Sequence, residues 1–176
     1  MSQTIYAPVK DSITSDIISS ANLKYKQGDY LGSLTEYTEA IHIDPTNALA
    51  FCCRGVAYYR LGDEENAKID YNRSIELDPT LAVAYYRRGF LRYVAKEYVM
   101  AIADYNKSIE LNPDFALAYS NRGYVYRDLY GEQEAAIDWR FAAKLFKEQG
   151  NIKKYQSTMK VLNKIIDTGS WGSGML

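Results

Sequence analysis

The residues best placed to do chemistry are charged and fall in register. Arg54, Arg88 and Arg122 recur at one fixed interval, and each is followed, at a second fixed interval, by an acid: Asp70, Asp104 and Asp138. Arginine withdrawn from water is tolerable only beside such a partner, so the couples read as internal structural pairs rather than as a basic surface. In the segment before them Ser20 stands at the arginine position, and Glu36 at the acidic one has no obvious partner there. Cys52 and Cys53 are the two cysteines. Adjacent side chains diverge along a helix and do not readily close a normal disulfide, and no third soft ligand lies near them. The pair reads as small packing residues in a reducing compartment. His42, the single histidine, falls on a different helical segment from the cysteines, so no Cys-His pair is available within one segment. Glycine-rich phosphate loops, HExxH and Gly-x-Ser-x-Gly are missing, and Glu64 and Glu65 beside a turn read as solvated surface. The chain is therefore read as non-enzymatic, with no metal and no cofactor.

These side chains are positioned by a repeat. Pro45, Pro79 and Pro113 are evenly spaced, and Gly55, Gly89 and Gly123 keep the same interval between them. Each unit has two apolar stretches of helical spacing joined by a short turn, and a period of about 34 residues is the length of a helical hairpin. Asp44, Asp78 and Asn112 precede the prolines and should end second helices. Thr46, Thr80 and Asp114 follow the prolines as candidate N-caps. Gly28, Gly62 and Gly131 mark hairpin turns, whereas the third turn, Ala95 to Glu97, has no glycine and would force Lys96 into a strained backbone state. Small residues recur at Ala50, Ala84 and Ala118 and at Ala67, Ala101 and Ala135. Large ones recur at Tyr37, Tyr71, Tyr105 and Trp139 and at Ile41, Ile75 and Ile109. Such rows let each hairpin offer its neighbour a similar surface.

Composition sets the class. The 176 residues are 47% hydrophobic, and 21 basic residues against 22 acidic ones leave a net charge of −1. Without a basic run, nothing supports phosphate neutralisation, so nucleic acid is not an expected partner. The opening residues carry no basic-then-apolar leader, and no stretch reaches the roughly 18 apolar residues of a membrane span, so the reading is a cytoplasmic protein without membrane insertion.

The stretch "KQGDYLGSLTEYTEAIHIDP" and its echoes resemble the tetratricopeptide repeat, with its small, aromatic and terminal-proline positions in order. The resemblance implies an all-α right-handed superhelix of antiparallel helical hairpins, an α-solenoid. Four hairpins are expected at residues 14–47, 48–81, 82–115 and 116–149, followed by a capping helix at 151–167. That last helix has Ile152, Tyr155, Met159, Leu162 and Ile166 on one side. Residues 1–13 form an N-terminal extension and residues 168–176 a flexible tail. The ending "AAKLFKEQGNIKKYQ" is similar to that of short tetratricopeptide proteins of photosynthetic bacteria.

The same resemblance implies a concave groove lined by first helices and holding a segment of a partner protein. Its positions fall on Asn22, Tyr25, Cys52, Cys53, Val56, Tyr59, Tyr86, Arg87, Phe90, Tyr93, Ser120, Asn121, Tyr124 and Arg127. Tyrosines give large contact area at low entropic cost, although the same rings can simply pack between adjacent first helices. Some family members grip a free carboxylate through lysines, asparagines and an arginine. Asn22 and Arg87 match that clamp, but Ile18, Cys53 and Val83 replace its other members, which argues against chaperone tails. The expected function is a non-catalytic adaptor or assembly scaffold binding a peptide segment. The alternative is a self-associating or autoinhibited protein whose tail, with Trp171, Met175 and Leu176, occupies the groove.

Overall fold

The computed structural model describes residues 7–167, with side chains from 12 to 165. Expectations for the first six residues and for the tail 168–176 lie outside the described residues. Among the described residues there are nine helices and no strand: α1 (Ala7–Gln27), α2 (Tyr30–Ile43), α3 (Ala48–Arg60), α4 (Glu64–Leu77), α5 (Ala82–Val94), α6 (Tyr98–Leu111), α7 (Ala116–Tyr130), α8 (Glu132–Glu148) and α9 (Ile152–Asp167). Two compact units, residues 1–88 and 89–176, divide within α5. In the first, α1 packs on α2, α2 on α3 and α3 on α4; in the second, α6 packs on α7, α7 on α8 and α8 on α9.

α1 begins at Ala7, inside the stretch assigned to an extension. Pro8 in its first turn explains why no break occurs there: a missing N–H is harmless where none would be bonded. The helix ends at the X-Pro steps fall on Asp44, Asp78 and Asn112. The N-cap expectation needs correction. Asn47, not Thr46, caps α3 by accepting from the Ala50 N–H at 2.9 Å. Phe115 precedes α7 without a side-chain cap. Thr46 and Thr80 instead donate through N–H and hydroxyl to Asp44 and Asp78 (3.1 and 2.7 Å; 2.9 and 2.6 Å). A carboxylate two residues back is the nearer acceptor, so the threonines close the turn rather than the next helix.

In the second, third and fourth hairpins a glycine lets an aromatic ring lie against the first helix, a place that Ala21 takes beside Tyr37 in the first. A Cβ at Gly55 would stand 2.7 Å from Cε1 of Tyr71, and one at Gly123 would stand 2.6 Å from Nε1 of Trp139. Tyr105 takes the same place against Gly89, 3.1 Å from such a Cβ. Tyr37, Tyr105 and Trp139 are almost fully buried, each worth about 1.5–3 kcal/mol in apolar transfer. Alanines with no exposed surface, Ala21, Ala40, Ala50 and Ala57, fill the first unit's core beside Tyr37. In the second unit Ala135, Ala136 and Ala143 surround Trp139 and meet Leu162 and Ile165 of α9. The buried side of α9 is therefore set by Leu162 and Ile165, with Tyr155 and Met159 beside them. Ile152 is half exposed, and the Ile166 side chain lies outside the described ones.

The hairpin turns of the first unit place Gly28 and Gly62 at φ 87° and 85°. In the third hairpin Lys96 adopts φ 61° with a Cβ to accommodate. Replacing this exposed residue, Lys96→Gly, should raise the unfolding free energy by about 0.5–1 kcal/mol. The change is read as a higher urea midpoint at unchanged slope; a midpoint at or below that of the parent would mean that the turn carries no strain.

Candidate functional site

The register that brings a ring onto glycine also brings charges together. Arg54 donates from Nε and a terminal nitrogen to both oxygens of Asp70, each at 2.8 Å. Its guanidinium lies 5.4 Å and 5.8 Å from the ring centroids of Phe51 and Tyr58. Arg122 holds Asp138 in the same two-point manner at 2.7 Å, between Tyr119 and Tyr126 at 5.6 Å each. Both acids are nearly buried, and hydrogen bonding to Asp70 is the first cause that raises the Arg54 pKa. Arg88 bonds Asn72 of α4 at 2.9 Å in the first unit, and Asp104 accepts from Arg92 at 2.8 Å in the second. Arg122 likewise reaches back to Asn106.

The first hairpin solves the same problem by another route. Lys24, one turn beyond Ser20, bonds Glu36 at 2.8 Å. That hydrogen bond is the main cause of a raised lysine pKa and a lowered glutamate pKa. The pair's contribution is therefore present above the ordinary glutamate range and fades as pH falls through it. Lys24 to Glu36 and Arg92 to Asp104 share one sequence spacing, a signal that a search at the interval from Arg54 to Asp70 passes over.

The candidate groove residues have divergent surroundings. Cys52 is 2% exposed and Tyr86 7%, which corrects their placement on an open surface: both side chains are packed inside the protein. Burial pushes the Cys52 thiol up to about 12, with Cys53 adding to the shift and Arg87 opposing it, so it stays protonated. The half-buried Cys53 thiol is also raised by burial, against Arg87 and Tyr37. Both cysteines are free. Among the described residues no cluster of three or more His, Cys, Asp or Glu could hold a metal ion.

Asn22 accepts from the Tyr37 hydroxyl at 2.7 Å, and Tyr25 accepts from Arg60 Nε at 2.9 Å. In the second unit the Tyr93 hydroxyl donates to Asp128 at 2.8 Å, while Arg127 bonds the other Asp128 oxygen. Burial, then the bond to Asp128, pushes Tyr93 up to about 12. Asp128 is held low: burial opposes this, but the bonds from Arg127 and Tyr93 prevail. Tyr124 meets Trp139 edge-on at 5.2 Å and carries Arg127 over its ring. Val56, Tyr59, Phe90, Ser120 and Asn121 are half-buried. Tyr25 to Arg60 and Tyr93 to Asp128 join positions one repeat apart, partners that the sequence reading missed.

Arg87 stands apart. Its guanidinium lies 5.4 Å from the Tyr86 ring centroid, and its buried Nε has no hydrogen-bond partner.

The comparisons fit this geometry. Models described as TPR repeat match residues 21–62, and models described as tetratricopeptide repeat match 48–81, 82–115 and 104–138. The chain belongs to the tetratricopeptide repeat family. No curated protein matches it. Among solved structures it resembles the first TPR of Spaghetti (RPAP3) bound to HSP90 peptide SRMEEVD, at 28% identity and TM-score 0.63, covering 66% of this chain and 92% of that one. The second TPR domain of human RPAP3, in complex with HSP70 peptide SGPTIEEVD, aligns at 26% identity and TM-score 0.60 over 66% and 97%. MamA protein, at 21% identity and TM-score 0.63 over 93% and 97%, shares the fold. Tetratricopeptide repeat domains are protein–protein interaction modules. In this one no helix among the described residues is long and apolar enough to cross a membrane.

The paired arginines yield a stability test. Asp70→Ala strands a largely buried Arg54 and should cost about 3 kcal/mol, whereas Arg54→Leu with Asp70→Leu should recover most of that loss. Urea unfolding of the three proteins decides it; a single-variant loss under about 1 kcal/mol would make the couple an ordinary surface pair.

Proposed function

We propose that this tetratricopeptide protein is a non-catalytic adaptor that binds an acidic, partly apolar peptide segment of a partner protein. Asn22, Tyr25, Val56, Tyr59 and Arg87 form the contact surface of the first unit. Phe90, Tyr93, Asn121, Tyr124 and Arg127 form that of the second. The observation that carries the reading is Arg87. Beside the half-exposed Cys53, its guanidinium lies against an aromatic ring on a half-buried residue, with Nε bonded to nothing in the fold. A carboxylate fits that need, since the guanidinium offers parallel donors matched to its two oxygens.

The tyrosines suit apolar contacts more than polar ones. Hydroxyls of Tyr25 and Tyr93 are already bonded within the fold, so their rings rather than their tips are the available surface. The two RPAP3 domains are solved with peptides ending in Glu-Val-Asp, and an acidic ligand here is in keeping with them. A chaperone-tail specificity is not favoured. Ile18, at a clamp lysine position, is 8% exposed within the core, and Val83 replaces another lysine. Two free cysteines suit a reducing, cytoplasmic setting.

Selection from a random peptide library, followed by calorimetry on an enriched sequence, tests the proposal. Enriched peptides should carry Asp, Glu or a free carboxylate next to large apolar residues. Arg87→Ala should weaken the best of them by about 10- to 150-fold, the loss expected for hydrogen bonds to a charged group. SRMEEVD should bind more weakly than the enriched peptide. Equal affinity of parent and variant would remove Arg87 from the site, and tight binding of SRMEEVD would restore the chaperone-tail reading.

A further inference from the structure

One apolar surface of the second unit is not used by the peptide-binding residues. Arg122, Tyr126 and Tyr130 of α7 and Glu134, Ile137 and Asp138 of α8 line a cavity of about 410 Å³. Tyr130 is 62% exposed, Ile137 57% and Phe141 52%. Phe141 stacks on Tyr119 at 5.6 Å and continues the apolar strip along α8. Among the lining residues Arg122 and Asp138 neutralise each other, which leaves Glu134 as the one lining charge without a counter-ion in that set. The opening is thus mostly apolar, with Glu134 as its one uncompensated charge.

We propose that the chain's own C-terminal tail, residues 168–176, covers this surface by placing Trp171 in the cavity between α7 and α8. Three features of the molecule point to the tail rather than to a foreign segment. First, α9 delivers it to the right place: Ile165 is 1% exposed and packs with Ala135 and Ala136, so the chain leaves α9 beside the first turns of α8, which supply Glu134 and Ile137. Second, the four residues from Asp167 to Trp171 can extend up to about 14 Å from that end of α9. Third, its chemistry matches: Thr168 to Leu176 carries no charged side chain, one tryptophan, one methionine and one leucine, with Gly169, Gly172 and Gly174 as supple spacers. A neutral aromatic entering a cavity whose arginine is already neutralised leaves no charge unpaired, while an acidic segment would meet Glu134 and Asp138. Pockets of about 300–1,000 Å³ take ligands of this kind, and a tether this short supplies an effective concentration near millimolar. The tail thereby shields an apolar strip that would otherwise favour association between molecules. This inference is independent of the peptide reading, since it uses none of the proposed peptide contacts.

Fluorescence quenching by acrylamide tests it. The signal of Trp171 is the difference between the parent and the Trp171→Phe variant, in which the buried Trp139 emits alone. At sub-micromolar concentration Trp171 should be quenched several-fold less than in a synthetic peptide of residues 166–176. Ile137→Glu, at a largely exposed position where folding is retained, should raise quenching to the free-peptide value with unchanged helical circular dichroism. Tyr130→Ser supplies a second, uncharged disruption with the same expected result. Three outcomes overturn the proposal: free-peptide quenching in the parent, protection that survives both substitutions, and protection that vanishes on dilution, which would assign the cavity to the tail of a second copy.

Discussion

An aromatic ring packed against a bare glycine sets the register on which the remaining contacts of the second and fourth hairpins depend. Gly55 and Gly123 leave no room for a Cβ beneath Tyr71 and Trp139, so the two helices close to a distance that any other residue would prevent. Arg54 and Arg122 immediately precede those glycines, and Asp70 and Asp138 immediately precede those rings. In these two hairpins the ring on the glycine brings arginine opposite aspartate, and each closes a bidentate pair. Rings one turn before and, in these two hairpins, one turn after each arginine, such as Phe51 and Tyr58, cover its faces. The result is a charge shielded on both sides and bonded at its edge, an arrangement in which a guanidinium can replace an apolar side chain beside a core.

That chain of consequences explains what was legible in the sequence. A single period shared by glycine, proline and aromatic positions is enough to give the helical hairpins and the fold, because each period repeats one packing solution. Side-chain choices within the period are harder to read, since several neighbours satisfy the same need. Glu36 takes its ion pair from Lys24, one turn beyond Ser20 at the arginine position, because a lysine on that face has the length to reach. Asn47 displaces Thr46 as a cap because Asp44 captures the threonine first. Neither outcome follows from residue type alone; each depends on which of several nearby partners is within reach in the folded chain.

The candidate site shows the same limit in a sharper form. Helix positions assigned to an open face differ by only about 100° per residue from those facing the core, so neighbours such as Cys52 and Cys53 separate into one buried and one half-buried side chain. Tyr86 is drawn inside while Arg87, the next residue, keeps its guanidinium over that ring. Hydroxyl partners from the next repeat, Arg60 for Tyr25 and Asp128 for Tyr93, are invisible to any analysis of one hairpin.

Adjacent arginines on α5 illustrate how a repeat fold separates structure from recognition. Arg88 belongs to the periodic row and bonds Asn72, as Arg122 bonds Asn106 one repeat later. Arg87 is outside that row, and neither Cys53 nor Asn121 at the equivalent positions carries a charge, so its guanidinium answers to no demand of the period. A cation with a buried, unbonded donor lowers stability unless an acceptor arrives. Rings of the same unit are held by contacts of their own, Tyr25 through Arg60 and Tyr37 through Asn22, so the surface is ordered before any ligand binds. Order present beforehand reduces the entropy lost on association. The repeat thus supplies a rigid frame from bonds that close within it, and the proposed role of Arg87 rests on a guanidinium whose Nε has no bond in that frame.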